Sequence, residues 1–182
     1  MTIVPPHDHH VVHAMMWRSP GKPDGLPPPV LGPLLMVVLG QAMQQLADQI
    51  TIATQGQGLY EFTRQVRSFV SAADIATGLL TVFVRHTSCS LLIAENADPD
   101  VQTDLQGFFG RLVPEGMDWL VHTAEGPDDM PAHIKAALTQ TSIAIPVVDG
   151  APVFGAWQGL FLFEHRSRPH RRDVALHLFG DR

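Results

Sequence analysis

The sequence predicts an α+β fold with antiparallel sheets, and three observations carry that prediction. Apolar strand-like runs bunch toward both ends of the region that begins near residue 44, and three segments with apolar residues at helical spacing lie between them. Gly, Asn and Asp clusters punctuate these runs as turns. Strands grouped this way, rather than alternating one by one with helices, argue against a parallel sheet.

Residues 1–43 stand apart. They hold His7, His9, His10 and His13 and a proline-rich tract, Pro20 to Pro33, without sustained periodicity. Such a segment buries too little apolar surface to offset its ordering entropy, so it reads as a disordered or mis-annotated leader, with Met36 and Met43 as alternative starts. The domain proper is then 44–182.

In that domain Ile50 and Ile52 with Leu59 to Phe62 read as a strand pair turning at Gln55 to Gly58. Thr63 is placed to cap a helix carrying Val66, Phe69, Val70 and Ala73 on one face. Gly78 leads into a strand from Leu79 to His86, and a second runs from Cys89 to Glu95. Asp98 before Pro99 is a helix start, because a carboxylate caps free N–H groups and proline suits the first helical position. Val101, Leu105, Phe108 and Leu112 then trace a stripe that reads as core.

A loop, Pro114 to Asp128, precedes a third helix in which Ile134, Ala137 and Leu138 face inward. The remainder is strand: Ser142 to Val148, a turn at Asp149-Gly150, Val153 to Trp157, Gly159 to His165, and Val174 to Phe179. Within it Trp157 reads as core packing, with base stacking as the alternative.

Composition narrows the function classes. The 182 residues suit one domain plus an appendage, and 45% hydrophobic against 16% charged residues leaves ample core material. A net charge of −6 gives no electrostatic footprint for nucleic acid. The single cysteine, Cys89, excludes an internal disulfide framework and reads as a packed thiol in a reducing compartment. The apolar run Val30 to Leu39 is broken by Gly32 and Pro33 and falls short of the roughly 20 residues a membrane span needs. A cytoplasmic protein without membrane partners is expected.

Polar chemistry gathers at element ends. Arg85, His86, Thr87 and Ser88 follow the apolar run Leu79 to Val84, and Asn96 and Asp98 follow the next one. The segment HTAEGPDDMPAHIK carries His122 and His133; a histidine in a first helical turn meets a positive field that favours the neutral, metal-ligating ring. The same N–H groups can hold a phosphate. Glu164-His165-Arg166 ends another strand, where Glu164 and Arg166 share a face and His165 points away. A strand-end salt bridge explains that face as well as a pocket does.

Five stretches in order, HTSCSLLIAENADPD, EGPDDMPAHIK, IPVVDG, GAWQG and EHR, resemble the secondary thiamine-phosphate synthase (YjbQ-like) family. The resemblance runs from about residue 44 to the C-terminus. It departs at Ala156, where the family has Thr in Gly-Thr-Trp-Gln, so any hydrogen bond from that hydroxyl is lost.

The resemblance implies strands packed in two sheets with about three helices, a homotrimer, and a histidine-rich pocket near a subunit boundary for a metal ion or anion. It also implies a weak synthase activity joining a hydroxymethylpyrimidine diphosphate to a thiazole phosphate with release of pyrophosphate. Displacing pyrophosphate calls for charge neutralisation by a divalent cation and basic groups. On that reading His86, His122 and His133 form the metal cluster, and His86, His133, Asp98 and Glu164 act in catalysis. Thr87, Ser88, Asn96, Arg166 and Arg172 then meet the substrate phosphates.

Imidazoles favour zinc and diphosphate oxygens favour magnesium, so the ion is open between them. Two alternatives stay beside the transferase: a metal-dependent hydrolase of a small phosphorylated metabolite, and a non-catalytic metal or ligand sensor.

Overall fold

The computed structural model describes residues 43–182. The leader, with its four clustered histidines, lies outside the described residues, Met43 excepted. The element order is β1 (Gln44–Ala53), β2 (Gly58–Glu61), α1 (Thr63–Ala72), β3 (Thr77–Val84), β4 (Cys89–Glu95) and α2 (Pro99–Leu112). It continues with α3 (Asp129–Leu138), β5 (Ser142–Val148), β6 (Ala151–Pro152), β7 (Gln158–Glu164) and β8 (Arg171–Asp181). This is the α+β architecture expected, with three helices and antiparallel pairing in every ladder.

Two sheets form, one of five strands in the order β1-β8-β3-β5-β6 and one of three in the order β2-β7-β4. The expected β1–β2 hairpin is corrected. Ile50 pairs with Val174 on β8, whereas Leu59 pairs with Phe163 on β7 in the other sheet. Local turn chemistry at Gln55 to Gly58 was read properly as a break, yet the chain uses it to change sheets. Residues Val153 to Trp157 are likewise not a strand: β6 is only two residues long.

Alternation along β8 explains how the sheets meet. Arg172, Val174, Leu176, Leu178 and Gly180 are buried, every second residue, facing the gap between the sheets. Leu80, Val82 and Val84 of β3 and Ile143, Ile145 and Val147 of β5 join them, with Leu160 and Leu162 of β7 and Leu91 of β4 opposite. Phe62, just ahead of α1, and Val66 and Val70 of α1 complete this core. Cys89 is fully buried in it, and burial pushes its thiol up to about 12, consistent with packing rather than nucleophilic use. Gly180 is required where β8 crosses β3, since a Cβ there would lie 2.1 Å from the Thr77 carbonyl oxygen.

Strand β7 is buried on both faces. Its second face carries Phe161 and Phe163; Phe109 of α2 stacks edge-on against Phe163 with ring centroids 5.3 Å apart, and Lys135 of α3 lies near Phe163 and His165.

Three helix expectations are corrected by this arrangement. Thr63 does not cap α1. Its hydroxyl donates to Glu61 Oε1 and accepts the Leu160 N–H, tying the helix start to β7. The α2 stripe is not core: no residue of α2 is buried, and Phe108 and Leu112 are 54% and 53% exposed. In α3 the buried residues are Asp129, Pro131, Ala132, Lys135 and Ala136, while Ala137 and Leu138 are exposed and Ile134 is half-buried.

Periodicity marks an apolar face but not what stands opposite it. In α3 the polar Asp129 is held inward by Arg166, and Lys135 is buried as well. Among the described residues no helix is long and apolar enough to cross a membrane.

Candidate metal centre

Two arginine–carboxylate networks lie at the β3–β4 loop and the β7–β8 connection. The first is closed. Glu164 is fully buried, and its Oε1 accepts the Arg166 backbone N–H at 3.0 Å and Arg172 Nη2 at 2.5 Å. Its Oε2 accepts Thr54 Oγ1 at 2.9 Å and Arg172 Nε at 2.7 Å. Burial alone would raise this carboxyl, but the donors from Arg172, Arg166 and Thr54 hold it below its ordinary value. Arg172 spends its remaining reach on Ser88 Oγ at 3.2 Å.

The second network centres on Arg166, which reaches out of β7 to α3. Its Nε donates to Asp128 Oδ2 at 3.1 Å, its Nη2 to the Glu125 carbonyl at 2.9 Å, and its Nη1 to Asp129 Oδ1. Asp128 also accepts the Ser167 N–H at 2.8 Å; burial opposes its ionisation, and these donors nonetheless hold its carboxyl below the usual range.

This clamp fixes the first turn of α3 and leaves Asp129 half satisfied. Its Oδ2 is buried, at 2% side-chain exposure, and has no hydrogen-bond donor. His122 Nε2 stands 2.7 Å from that oxygen and His133 Nε2 stands 3.6 Å from it. The His122 approach is close but not aligned as a hydrogen bond.

The ligating atoms of His122, Asp129 and His133 all lie within 4.8 Å of one another. Metal–nitrogen and metal–oxygen bonds of about 2.0–2.2 Å put ligand atoms about 3 to 3.5 Å apart, the range that the two measured separations straddle. A buried anionic oxygen with no donor, facing two imidazole nitrogens, fits a cation. Outer contacts already orient both sides: His133 Nδ1–H donates to the Thr87 carbonyl at 2.9 Å, which leaves Nε2 with its lone pair toward Asp129, and Arg166 holds the other Asp129 oxygen.

Loop geometry delivers His122. Gly126, at φ +114°, turns the chain where a Cβ would come within 3.2 Å of Asp128 Oδ1, and its carbonyl accepts the Asp129 N–H at the head of α3.

Several sequence expectations need correction here. His86 is outside the cluster: its Nε2 accepts the Asp173 N–H at 2.8 Å, and burial, then Arg172, lowers its basicity. It thus packs the β3–β8 junction as a neutral ring. His133 is the fifth residue of α3 rather than a first-turn residue, so its link to Thr87, not the helix end, fixes its tautomer.

Glu164 belongs to the closed network. Arg166 and Arg172 are committed to carboxylates, which leaves neither guanidinium free to meet diphosphate. Thr87 contributes its carbonyl and Ser88 its hydroxyl, the latter to Arg172. Asn96 and Asp98 lie past the opposite end of β4, where Asn96 donates to Glu61 and Asp98 caps α2 through the Asp100 N–H. Trp157 is 68% exposed, not core, and Ala156 beside it is also exposed.

Asp129 is the member of this candidate cluster that the sequence reading missed. Its spacing to His133, four residues along one helix, is the signal that could have found it.

Residues 48–181 match the family described as UPF0047 protein, YjbQ-like. The chain belongs to that family. The UPF0047 protein sll1880 of Synechocystis sp. is 51% identical over 146 residues, covering 80% of this chain and 99% of that protein. The UPF0047 protein YjbQ of Escherichia coli O157:H7 is 36% identical, covering 72% and 96%.

Among solved structures, an uncharacterised conserved protein of the YjbQ/UPF0047 family from Clostridium acetobutylicum superposes with a TM-score of 0.67 at 30% identity, covering 72% of this chain and 98% of that one. A YbjQ-like protein of unknown function from Sulfolobus solfataricus reaches 0.71 at 23% identity, covering 77% and 100%, and speaks to fold alone.

The family expectation therefore holds at the level of YjbQ-like, UPF0047. Its thiamine-phosphate synthase reading does not. The matching relatives are UPF0047 proteins whose names carry no such activity, so the transferase expectation is withdrawn. Those names carry no metal-dependent hydrolase of a small phosphorylated metabolite either.

Proposed function

We propose that UPF0047 chains of this sequence are divalent-metal proteins, with His122 Nε2, His133 Nε2 and Asp129 Oδ2 as ligands. The observation that carries this reading is the buried, donorless Asp129 oxygen opposed by two imidazole nitrogens. Two imidazoles and one carboxylate favour a zinc-like ion over magnesium, which prefers an all-oxygen shell. Three protein ligands leave coordination positions open, the pattern of reactive rather than purely structural sites.

A bound ion supplies Lewis-acid polarisation of an oxygen ligand. The protein's own contribution is to aim the ligands, through Thr87 on one side and Arg166 on the other. With Arg166 and Arg172 already committed, recognition of an anionic metabolite, phosphate or carboxylate, falls to the ion. Titration of metal-free protein with Zn2+ by calorimetry tests the reading. One ion per chain is expected, with binding weakened by two orders of magnitude or more in Asp129→Asn; undiminished binding in that variant overturns it.

Self-association is a second reading, supported by a separate observation. Phe108, Leu112, Trp119 and Val121 are exposed on α2 and the loop after it, an apolar presentation that a lone chain leaves in water. Light scattering on the eluting protein tests the trimer; a monomer at micromolar concentration overturns it.

A further inference from the structure

The loop that carries His122 also walls a cavity. It measures about 330 Å3 and is lined by Met117, Leu120, Pro127, Met130 and Pro131, with His122 itself on its wall. This size falls at the lower end of small-molecule sites. Its side-chain lining is mostly apolar, Asp118 and Thr123 being its other polar members, and nothing in the metal geometry calls for that.

The loop is shaped to hold it. The Leu120 N–H bonds back to the Met117 carbonyl, and the Gly126 N–H bonds to the Thr123 carbonyl, so two tight turns flank His122. Across the cavity Met130 and Pro131 belong to the first turn of α3, next to Asp129, and Arg166 anchors that turn. The cavity therefore shares its loop with His122 and its helical turn with Asp129. An ion held at His122 would have thioether and aliphatic surface beside it, and methionines adapt readily to varied shapes.

We infer that this cavity is the specificity pocket of the metal centre, and that it takes small molecules with an anionic, metal-chelating head and a compact apolar body such as a ring or branched chain. The inference rests on the metal reading. It excludes inorganic anions and fully polar metabolites as preferred ligands, because their non-chelating atoms would leave the apolar lining unpaired.

The experiment uses the full chain loaded with Co2+, whose visible spectrum reports on the ion. Acetohydroxamate and benzohydroxamate present the same chelating head, and only the second has an apolar ring. Benzohydroxamate is expected to bind at least about tenfold more tightly, as burial of an aromatic face implies. Met117→Ala and, separately, Leu120→Ala should bring the two affinities together; using two loop variants guards against one that misfolds.

Equal affinities in the unsubstituted protein, with the cobalt spectrum responding to both hydroxamates, overturn the pocket and leave the metal centre standing. Failure of the protein to take up cobalt or zinc overturns both. A preference for benzohydroxamate that survives both variants places the ring elsewhere and also overturns the inference.

Discussion

The two arginine–carboxylate networks make opposite use of the same chemical pair. At Glu164–Arg172 both carboxylate oxygens are filled by protein donors, both partners are buried, and no lone pair is left for a ligand. At Asp129–Arg166 one oxygen is filled, and the other is buried facing His122 and His133. The closed pair fastens β7 to β8 inside the sandwich. The open pair leaves a lone pair ready in the first turn of α3. Satisfaction of hydrogen-bonding capacity, more than charge or burial, separates a structural acid from a candidate ligand here.

The largest effect should come from breaking the closed pair. Arg172→Met strands a buried carboxylate and should cost about 3–5 kcal/mol of stability, measured by denaturant unfolding. A loss below about 1 kcal/mol would mean that Glu164 reaches water and the network is not closed. The matching change in the open network, Asp129→Asn, should alter metal-free stability far less, because Arg166 keeps Asp128. It should instead abolish the stabilisation that saturating Zn2+ confers, about 2.7 kcal/mol at a hundredfold excess over Kd.

Acid sharpens the contrast further. His165 is buried beside Ser90, and burial followed by the nearby Lys135 charge lowers its ring to about 3 from an ordinary 6.5. Between those values the unfolded chain takes up a proton that the folded one refuses, so stability should fall as pH drops from 6.5 toward 3. Glu164, whose folded carboxyl lies below its ordinary 4.5, adds a second loss that begins only below that pH. Unfolding free energies measured across pH 3–7 should show both slopes. Glu164→Gln should lessen the lower slope, to which His165 and Asp128 still contribute, and an unchanged lower slope in that variant would contradict the closed network.

The smallest effect belongs to Asp98. Its removal as the α2 cap in Asp98→Ala should cost about 1 kcal/mol. Zinc affinity should be unchanged, since Asp98 lies beyond the far end of β4 from the cluster.

What the sequence determined by itself was local and periodic. The alternation that makes β5 and β8, the Asp98-Pro99 start of α2, the breaks at Gln55 to Gly58 and Asp149-Gly150, and the α+β class are all set by neighbours within a few residues. His122 and His133 were legible as a pair because one short segment carries both.

The tertiary structure alone decided which polar groups meet. His86 precedes Thr87, whose carbonyl orients His133, yet its ring turns to the Asp173 N–H on a strand 87 residues away. Asp129 looked like one more helix-start acid until Arg166 claimed one of its oxygens and left the other bare. The α2 stripe looked like core because its apolar spacing says nothing about whether a partner surface exists. Periodicity is written along the chain, whereas the filling of a lone pair depends on donors that only folding brings within about 3 Å.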